Sequence, residues 1–237
     1  MSNPLRKALP DPRLGARALS GLPPSCAECT LLVESDHRIA NHLAMLRSYL
    51  HLQQTELDRR PREITPDSVR LLLASVDAQI VAVAQLHRTL AARGRTASAD
   101  LGEQLHATCA PFQSGLSGGA ALTEAFEDGC RVGPDQVLPL TQIVAEVLTN
   151  ALKHAGGPQG VSAIQVSCRR KADGALRIEV ADNGPGLPPG FDPMSDGGLG
   201  FRLLRGLSRQ LGARMAFETS PGGARFQLDL PQVPERA

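Results

Sequence analysis

Residues 146–155 read Glu146-Val147-Leu148-Thr149-Asn150-Ala151-Leu152-Lys153-His154-Ala155. A helix turns about 100° per residue, so Glu146, Asn150, Lys153 and His154 fall within about 100° of arc. Val144, Val147, Leu148, Ala151 and Leu152 lie on the other side. One face therefore carries an acid, a carboxamide, a lysine and a histidine, while the opposite face is built to pack. A carboxylate and a carboxamide carbonyl are hard oxygen donors that suit Mg²⁺. Lysine adds a charge suited to phosphate. A merely solvated helix face is the bland alternative.

Two glycine-rich stretches follow. Asp182-Asn183-Gly184-Pro185-Gly186 comes directly after an apolar run expected to be a strand. Its glycines allow backbone to approach a ligand and tolerate positive φ. Its aspartate can accept a hydrogen bond from an exocyclic amine at the end of a buried pocket. Gly197-Gly198-Leu199-Gly200 then runs into a helix expected from about Phe201. Free N–H groups and the dipole at such a helix start favour anions. No Gly-Lys-Ser/Thr follows, so this is not a Walker A loop. Nor does it sit in a βαβ dinucleotide unit with an acid about 20 residues on.

Upstream, residues 29–95 have a helical texture. Leu32, Ile39, Leu43, Leu46, Leu50 and Leu57 form one apolar stripe. A second comprises Val69, Leu72, Val76, Ile80, Val83, Leu86 and Leu90, opened by Thr65 as N-cap and Pro66 at the first helical position. Two long helices with a short connection predict an antiparallel hairpin. Its core is thin, and pairing with a second copy into a four-helix bundle would bury both stripes. His37 and Asn41 lie one turn apart, away from the first stripe. Residues 1–28 hold five of the eighteen prolines and read as a tail. Cys26 and Cys29 form a CxxC without the second ligand pair a zinc ribbon needs.

From residue 96 to 232 strands and helices mix, which predicts one α/β sandwich domain. Helices are expected at 101–110, 137–155 and 200–211, with Gly212 as C-cap. Strands are expected at Ala163–Cys168, Leu176–Val180, Arg214–Glu218 and Arg225–Leu230. Residues 233–237 read as a short C-terminal tail.

Composition narrows the function classes. With 25 basic and 24 acidic residues in 237, the chain lacks the basic excess of a nucleic-acid binder. One Tyr, six Phe and no Trp leave little for base-stacking platforms. No uncharged apolar run approaches the roughly 18 residues of a membrane span. The start, broken by proline and charge, does not read as a secretory signal. Five cysteines suit a reducing cytoplasm better than a disulfide scaffold.

The order of these features carries more than any one of them. A histidine on a helical hairpin, E-x-x-x-N-A-x-K-H, D-x-G-x-G and then G-x-G into a helix resembles a sensor histidine kinase over about residues 30–232. The His37-Arg38-x-x-Asn41 form is similar to the subfamily with an H-R-x-x-N phosphoacceptor site, close to the HWE kinases but lacking their Trp. The resemblance implies a dimeric helical hairpin at 29–95. An ATP-binding α/β sandwich of the gyrase, chaperone, kinase and mismatch-repair type would follow at 96–232. His37 would take the γ-phosphoryl group, and Asn150 would ligate Mg²⁺, with Glu146 nearby acting through water or as a base. Lys153 and His154 would contact phosphates, and Asp182 would read adenine. Gly184, Gly186, Gly198 and Gly200 would line the site, with a brief lid between Gly186 and Gly197. Adenine would sit between aliphatic walls rather than aromatic stacks.

The chain departs from the wider family in placing Arg38 after the histidine, where an acid often stands. Asp36, which precedes it, is the expected proton acceptor. Asn41 would steer a hydrolytic water. The implied partners are a second copy and a response-regulator receiver domain, with input from a separate protein. Two alternatives remain open. One is a phosphotransfer scaffold without autokinase activity, which usually loses its nucleotide boxes. The other is a serine kinase or ATPase of the same superfamily, which lacks the histidine hairpin.

Overall fold

The computed structural model describes residues 27–59, 65–93, 98–115, 121–154 and 163–231. The chain divides into two compact units, Met1–Leu43 and Ala44–Ala237. Helix α1, Ala27–Arg59, runs through the division. In the first unit the description is mainly helical backbone, with Asn41 exposed. The CxxC cysteines lie outside the described side chains.

The second unit is built around α4, Pro134–His154. Every residue from Val137 to Thr149 is buried, because α4 packs on strand β5 from one side and on α2 and α3 from the other. Its hydroxyls fold back on the helix: Thr149 Oγ1 donates to the Ala145 carbonyl at 2.8 Å. Proline at its first position, where an N–H has no helical partner, opens the helix earlier than the expected start at 137.

A five-stranded sheet runs β2-β4-β5-β7-β6. Its strands are β2 (Ala121–Phe126), β4 (Ala163–Arg170), β5 (Leu176–Asp182), β6 (Arg214–Ser220) and β7 (Gly223–Leu230). All neighbours pair antiparallel except β2 and β4. Helices α3 (Leu101–Gly115), α4 and α5 (Leu199–Gln210) contact β2, β5 and β6. Period-two alternation follows. Ile164, Val166 and Cys168, then Leu176, Ile178 and Val180, then Phe226, Leu228 and Leu230 are all buried. Intervening positions are polar or charged, among them Gln165, Ser167, Arg177, Glu179, Gln227 and Asp229.

The expected α/β sandwich is present. Strand β2 and the two-residue pair β1 (Ala99–Asp100) and β3 (Arg131–Val132) were not anticipated from the sequence. In β2 the inward position between Leu122 and Phe126 is Glu124, which breaks the apolar alternation. Its carboxylate is bonded to His106 Nδ1 at 2.7 Å and accepts from Gln113 Nε2 at 2.8 Å.

Helix α2, Pro66–Arg93, begins with the expected cap. Ser68 N–H donates to Thr65 Oγ1, and Thr65 N–H donates to Ser68 Oγ. Its buried face agrees with the expected stripe only in part: Leu86 of that stripe is buried, but Val69 is 38% and Ile80 52% exposed, and Ser75, Ala78, Gln79 and Ala82 are buried beside Leu86. Small residues let α2 approach α3 and α4 closely, so the bulkier side is turned outward. Among the described residues one segment, Pro66–Arg88, is long and apolar enough by length and composition to cross a membrane. Its packing on α3 and α4 accounts for part of that apolarity.

On the uncovered sheet face Asp229 sits opposite Arg177 in register, with both oxygens bonded to the guanidinium at 2.6 Å and Lys171 Nζ at 3.1 Å. The Arg177 bonds, with help from Lys171, hold its carboxyl down at about 2 against the cost of partial burial. A lowered folded-state value contributes stability above the ordinary carboxylate range and loses it as pH falls through that range towards the folded value. Asp229→Asn should therefore cost about 1–2 kcal/mol near neutral pH, after allowance for solvent screening. Urea unfolding of both proteins across acid pH should show the gap closing below about pH 4. A gap independent of pH would contradict this account.

A candidate nucleotide site

Helix α4 carries the first set of expected site residues from core to solvent. Glu146 is 5% exposed, Asn150 is half-buried and Lys153 is exposed. His154 closes the helix, but its side chain lies outside the described residues. The same holds for Asp36 and His37, whose backbone lies in α1.

Strand β5 delivers Asp182 at its last position. Its Oδ1 accepts the N–H of Gly184 at 2.8 Å and of Ala224 at 3.3 Å. These bonds fix the carboxylate and leave its second oxygen for another donor. Gly186 has φ +78°, and a Cβ there would lie 2.3 Å from the Ser220 carbonyl oxygen. The glycine thus lets this loop press against the β6–β7 hairpin, where Leu187 N–H donates to Thr219 Oγ1 at 2.7 Å.

Asn150 and Asp182, 32 positions apart in sequence, line one cavity of about 330 Å³. Val147, Ala151, Gly186 and Leu187 share its wall. The expectation of purely aliphatic walls is corrected. Phe191, Phe201, Phe217 and Phe226, four of the six phenylalanines, also line it. Successive pairs of these rings have centroids 5.1, 5.6 and 5.1 Å apart. Aromatic scarcity in the whole chain conceals this concentration, because the four residues come from a loop, a helix and two strands.

At the mouth, Gly198 is the N-cap of α5 and gives no side-chain cap to the helix. Its first N–H groups therefore suit an anion. Gly200 has a different neighbour from the one expected. A Cβ on it would stand 2.1 Å from Glu146 Oε1, so the glycine admits the carboxylate of α4 to the positive end of α5. The sole tyrosine, Tyr49 of α1, is buried with its hydroxyl 2.5 Å from Ser75 Oγ of α2. Burial, then the nearby Glu146 charge, push its phenol above the ordinary value.

A larger cavity of about 640 Å³ lies at the other end of the sheet. Its two arginines are committed to backbone: Arg131 to the Ser98 carbonyl, and Arg170 to the Gly174 and Gly129 carbonyls. It contains none of the expected site residues. Nor does a buried thiol compete as the reactive group, since burial pushes Cys109 up to about 12.

Two family models match. One, described as histidine kinase, covers residues 34–114, and the other, described as histidine kinase-, DNA gyrase B-, and HSP90-like ATPase, covers 135–234. The chain belongs to the histidine kinases. It is 27% identical over 204 residues to blue-light-activated histidine kinase 2 of Erythrobacter litoralis, covering 84% of this chain and 56% of that one. The chain thus spans about half that relative's length. The solved histidine kinase domain of the Erythrobacter litoralis EL346 blue-light activated kinase superposes with a TM-score of 0.63 at 27% identity. That superposition covers 84% of this chain and 92% of the solved one. A sensor protein NarQ homologue of Haemophilus influenzae is 34% identical over 103 residues, covering 43% of this chain and 17% of the relative. The ATP-binding domain type and the histidine kinase family agree with the cavity that Asn150 and Asp182 line.

The Gly200–Glu146 contact makes a sharp prediction. Gly200→Ala should displace the acid or the start of α5, lowering the melting temperature and weakening ADP binding by at least tenfold. Gly206→Ala, on the same helix with open space around it, should do neither. Calorimetric melting and ADP titration decide, and wild-type behaviour of Gly200→Ala would refute the packing argument.

Proposed function

We propose that this chain is an ATP-dependent histidine autokinase that passes its phosphoryl group to an aspartate of a response-regulator receiver domain. The convergence of Asn150 and Asp182 on one cavity, beside an uncapped helix N-terminus, supports this reading best. The cavity is apolar and aromatic where a purine would lie, and Asp182 offers its second oxygen to an exocyclic amine. Gly184 and Gly186 shape that end of the pocket. Gly198, Gly200 and the α5 N–H groups would face the phosphates, with Lys153 contributing charge and His154 a further phosphate contact from the end of α4.

The residues fit Mg²⁺. The Glu146 carboxylate occupies the positive end of α5, where phosphate would also gather. Two anionic groups at one helix terminus repel unless a cation joins them. The Asn150 carbonyl and Glu146, one turn apart on α4, supply the hard oxygens such a cation needs. Bound magnesium would neutralise charge on the phosphates during transfer.

In the reaction an imidazole nitrogen of His37 attacks the γ-phosphorus. The bond from that phosphorus to the β,γ-bridging oxygen breaks, and ADP leaves. The imidazole proton passes to a base, for which Asp36 is the candidate. The phosphohistidine then transfers its phosphoryl group to a receiver carboxylate as the N–P bond breaks, and the ring nitrogen takes back a proton to restore neutral histidine. Asn41, exposed one turn after His37, would direct water at a phosphorylated receiver.

The second copy would cover the outward side of α2. Val69, Leu73 and Ile80 are exposed there, and an apolar stripe of this kind is the seam expected of a helical bundle. Leu73→Glu combined with Ile80→Glu should yield monomers by light scattering. A dimer of unchanged mass would remove this face from the interface.

Incubation with γ-labelled ATP and Mg²⁺ tests the main proposal. The label should be acid-labile and alkali-stable, absent from His37→Gln, and chased from the wild type by a receiver domain. Asp182→Asn keeps an oxygen for the two backbone N–H bonds, so it should fold normally yet lose most labelling. Label that survives in His37→Gln would sink the site assignment.

A further inference from the structure

The segment between the two glycine motifs is held in place by one side chain of α5. Arg205 Nη1 donates to the carbonyl oxygens of Pro193 and Asp196, both at 2.8 Å. Between those carbonyls the chain forms a compact turn. Asp192 N–H donates to Asp196 Oδ2 at 2.9 Å, Met194 N–H to Asp192 Oδ1 at 2.9 Å, and Ser195 Oγ to Asp192 Oδ2 at 2.8 Å. One turn earlier on α5, the Phe201 ring meets Phe191 edge-on, with centroids 5.1 Å apart. It also lies beneath Gly197, where φ is +90° and a Cβ would stand 2.5 Å from the ring.

This segment has no core of its own. Met194, Ser195, Asp196, Gly197 and Gly198 are all exposed, so burial does not fix their path. Yet both ends of the segment matter to the cavity: Phe191 is in its wall, and Gly197-Gly198 leads to the anion-facing start of α5. Ordering a loop at the moment of binding costs affinity, whereas a loop already in shape does not.

We propose that Arg205 is a positioning residue for nucleotide binding, its guanidinium pinning residues 193 and 196 so that Phe191 and the Gly197–Gly200 loop stand ready before ligand arrives. It acts through the segment and need not touch nucleotide. The inference rests on the nucleotide-site reading, and deepens it by naming what sets affinity. Lysine retains charge and donors but lacks the planar fork, so it should hold the two carbonyls less firmly.

Two measurements on the full chain test this. Hydrogen exchange on ligand-free protein should show amides 192–198 exchanging about tenfold faster in Arg205→Met than in wild type, with the sheet unchanged. ADP titration should show about tenfold weaker binding in Arg205→Met and an intermediate loss in Arg205→Lys. In autophosphorylation the variant should raise KM for ATP far more than it lowers kcat. Equal exchange and equal ADP affinity in Arg205→Met and wild type would overturn the inference. If Arg205→Met does not fold, Arg205→Lys is measured in its place, and wild-type exchange and affinity there would overturn the inference in the same way. Failure of the wild type to bind ADP would instead overturn the nucleotide reading, and the ligand-free exchange result separates the two cases.

Discussion

A carboxylate in the middle of the core helix organises this molecule. Glu146 lies within a stretch of α4 that is buried from residue 137 to 149. Burying a charge among apolar side chains is expensive unless something compensates it. The start of α5 contributes, since Gly200 lets the carboxylate reach the positive end of the helix. That requirement brings α5 to α4 at a set height. It thereby brings Phe201, at the start of α5, into the cavity wall that Asn150 of α4 also lines. The glycine at 200 is thus demanded by a neighbour inside the protein, Glu146.

The remaining walls follow from the sheet. Asp182 ends β5 and is fixed by N–H groups from the next loop and from β7, so its position is set by strand register. Phe217 and Phe226 face each other across the β6–β7 pair in direct register. Phe201 and Phe191 extend this row outward to the segment held by Arg205. The cavity therefore passes from rigid sheet, through helix, to a loop that depends on a few polar bonds. Burial falls in the same direction, which is the arrangement a binding site needs if ligand is to enter without disturbing the core.

Much of this was legible in the sequence, and the reasons are local. The E-x-x-x-N-A-x-K-H run shows its two faces because helical period places chemistry and packing on opposite sides. The strands at 163–170 and 176–182 show themselves through alternation and a tight turn. Strand β2 stayed hidden because Glu124 occupies an inward position and is satisfied by His106 and Gln113, partners that no local pattern reveals. The aromatic wall was missed for a similar reason. Phe191, Phe201, Phe217 and Phe226 converge only after folding, so a low overall count of rings said nothing about their local density. Arg205 lies on a helix otherwise read for its glycine start, and its role depends on where two loop carbonyls come to rest.

Helix α2 exposes the limit of periodicity most clearly. Its large apolar residues form a stripe that the sequence assigns to the interior. The chain buries Leu86 of that stripe together with Ser75, Ala78, Gln79 and Ala82, and leaves Val69 and Ile80 outward. Hydrophobicity alone ranks these faces the wrong way round, because within one chain close approach favours small side chains. Ser75 is also hydrogen-bonded to the Tyr49 hydroxyl, so the inward face carries a polar link from α1 to the layer that holds Glu146. A helix with one small, hydrogen-bonded face and one bulky apolar face has two surfaces to satisfy. The first is satisfied by this chain, and the second has the chemistry of a bundle seam. Helical pattern can reveal that both faces exist, but the choice between inside and outside belongs to the residues they meet.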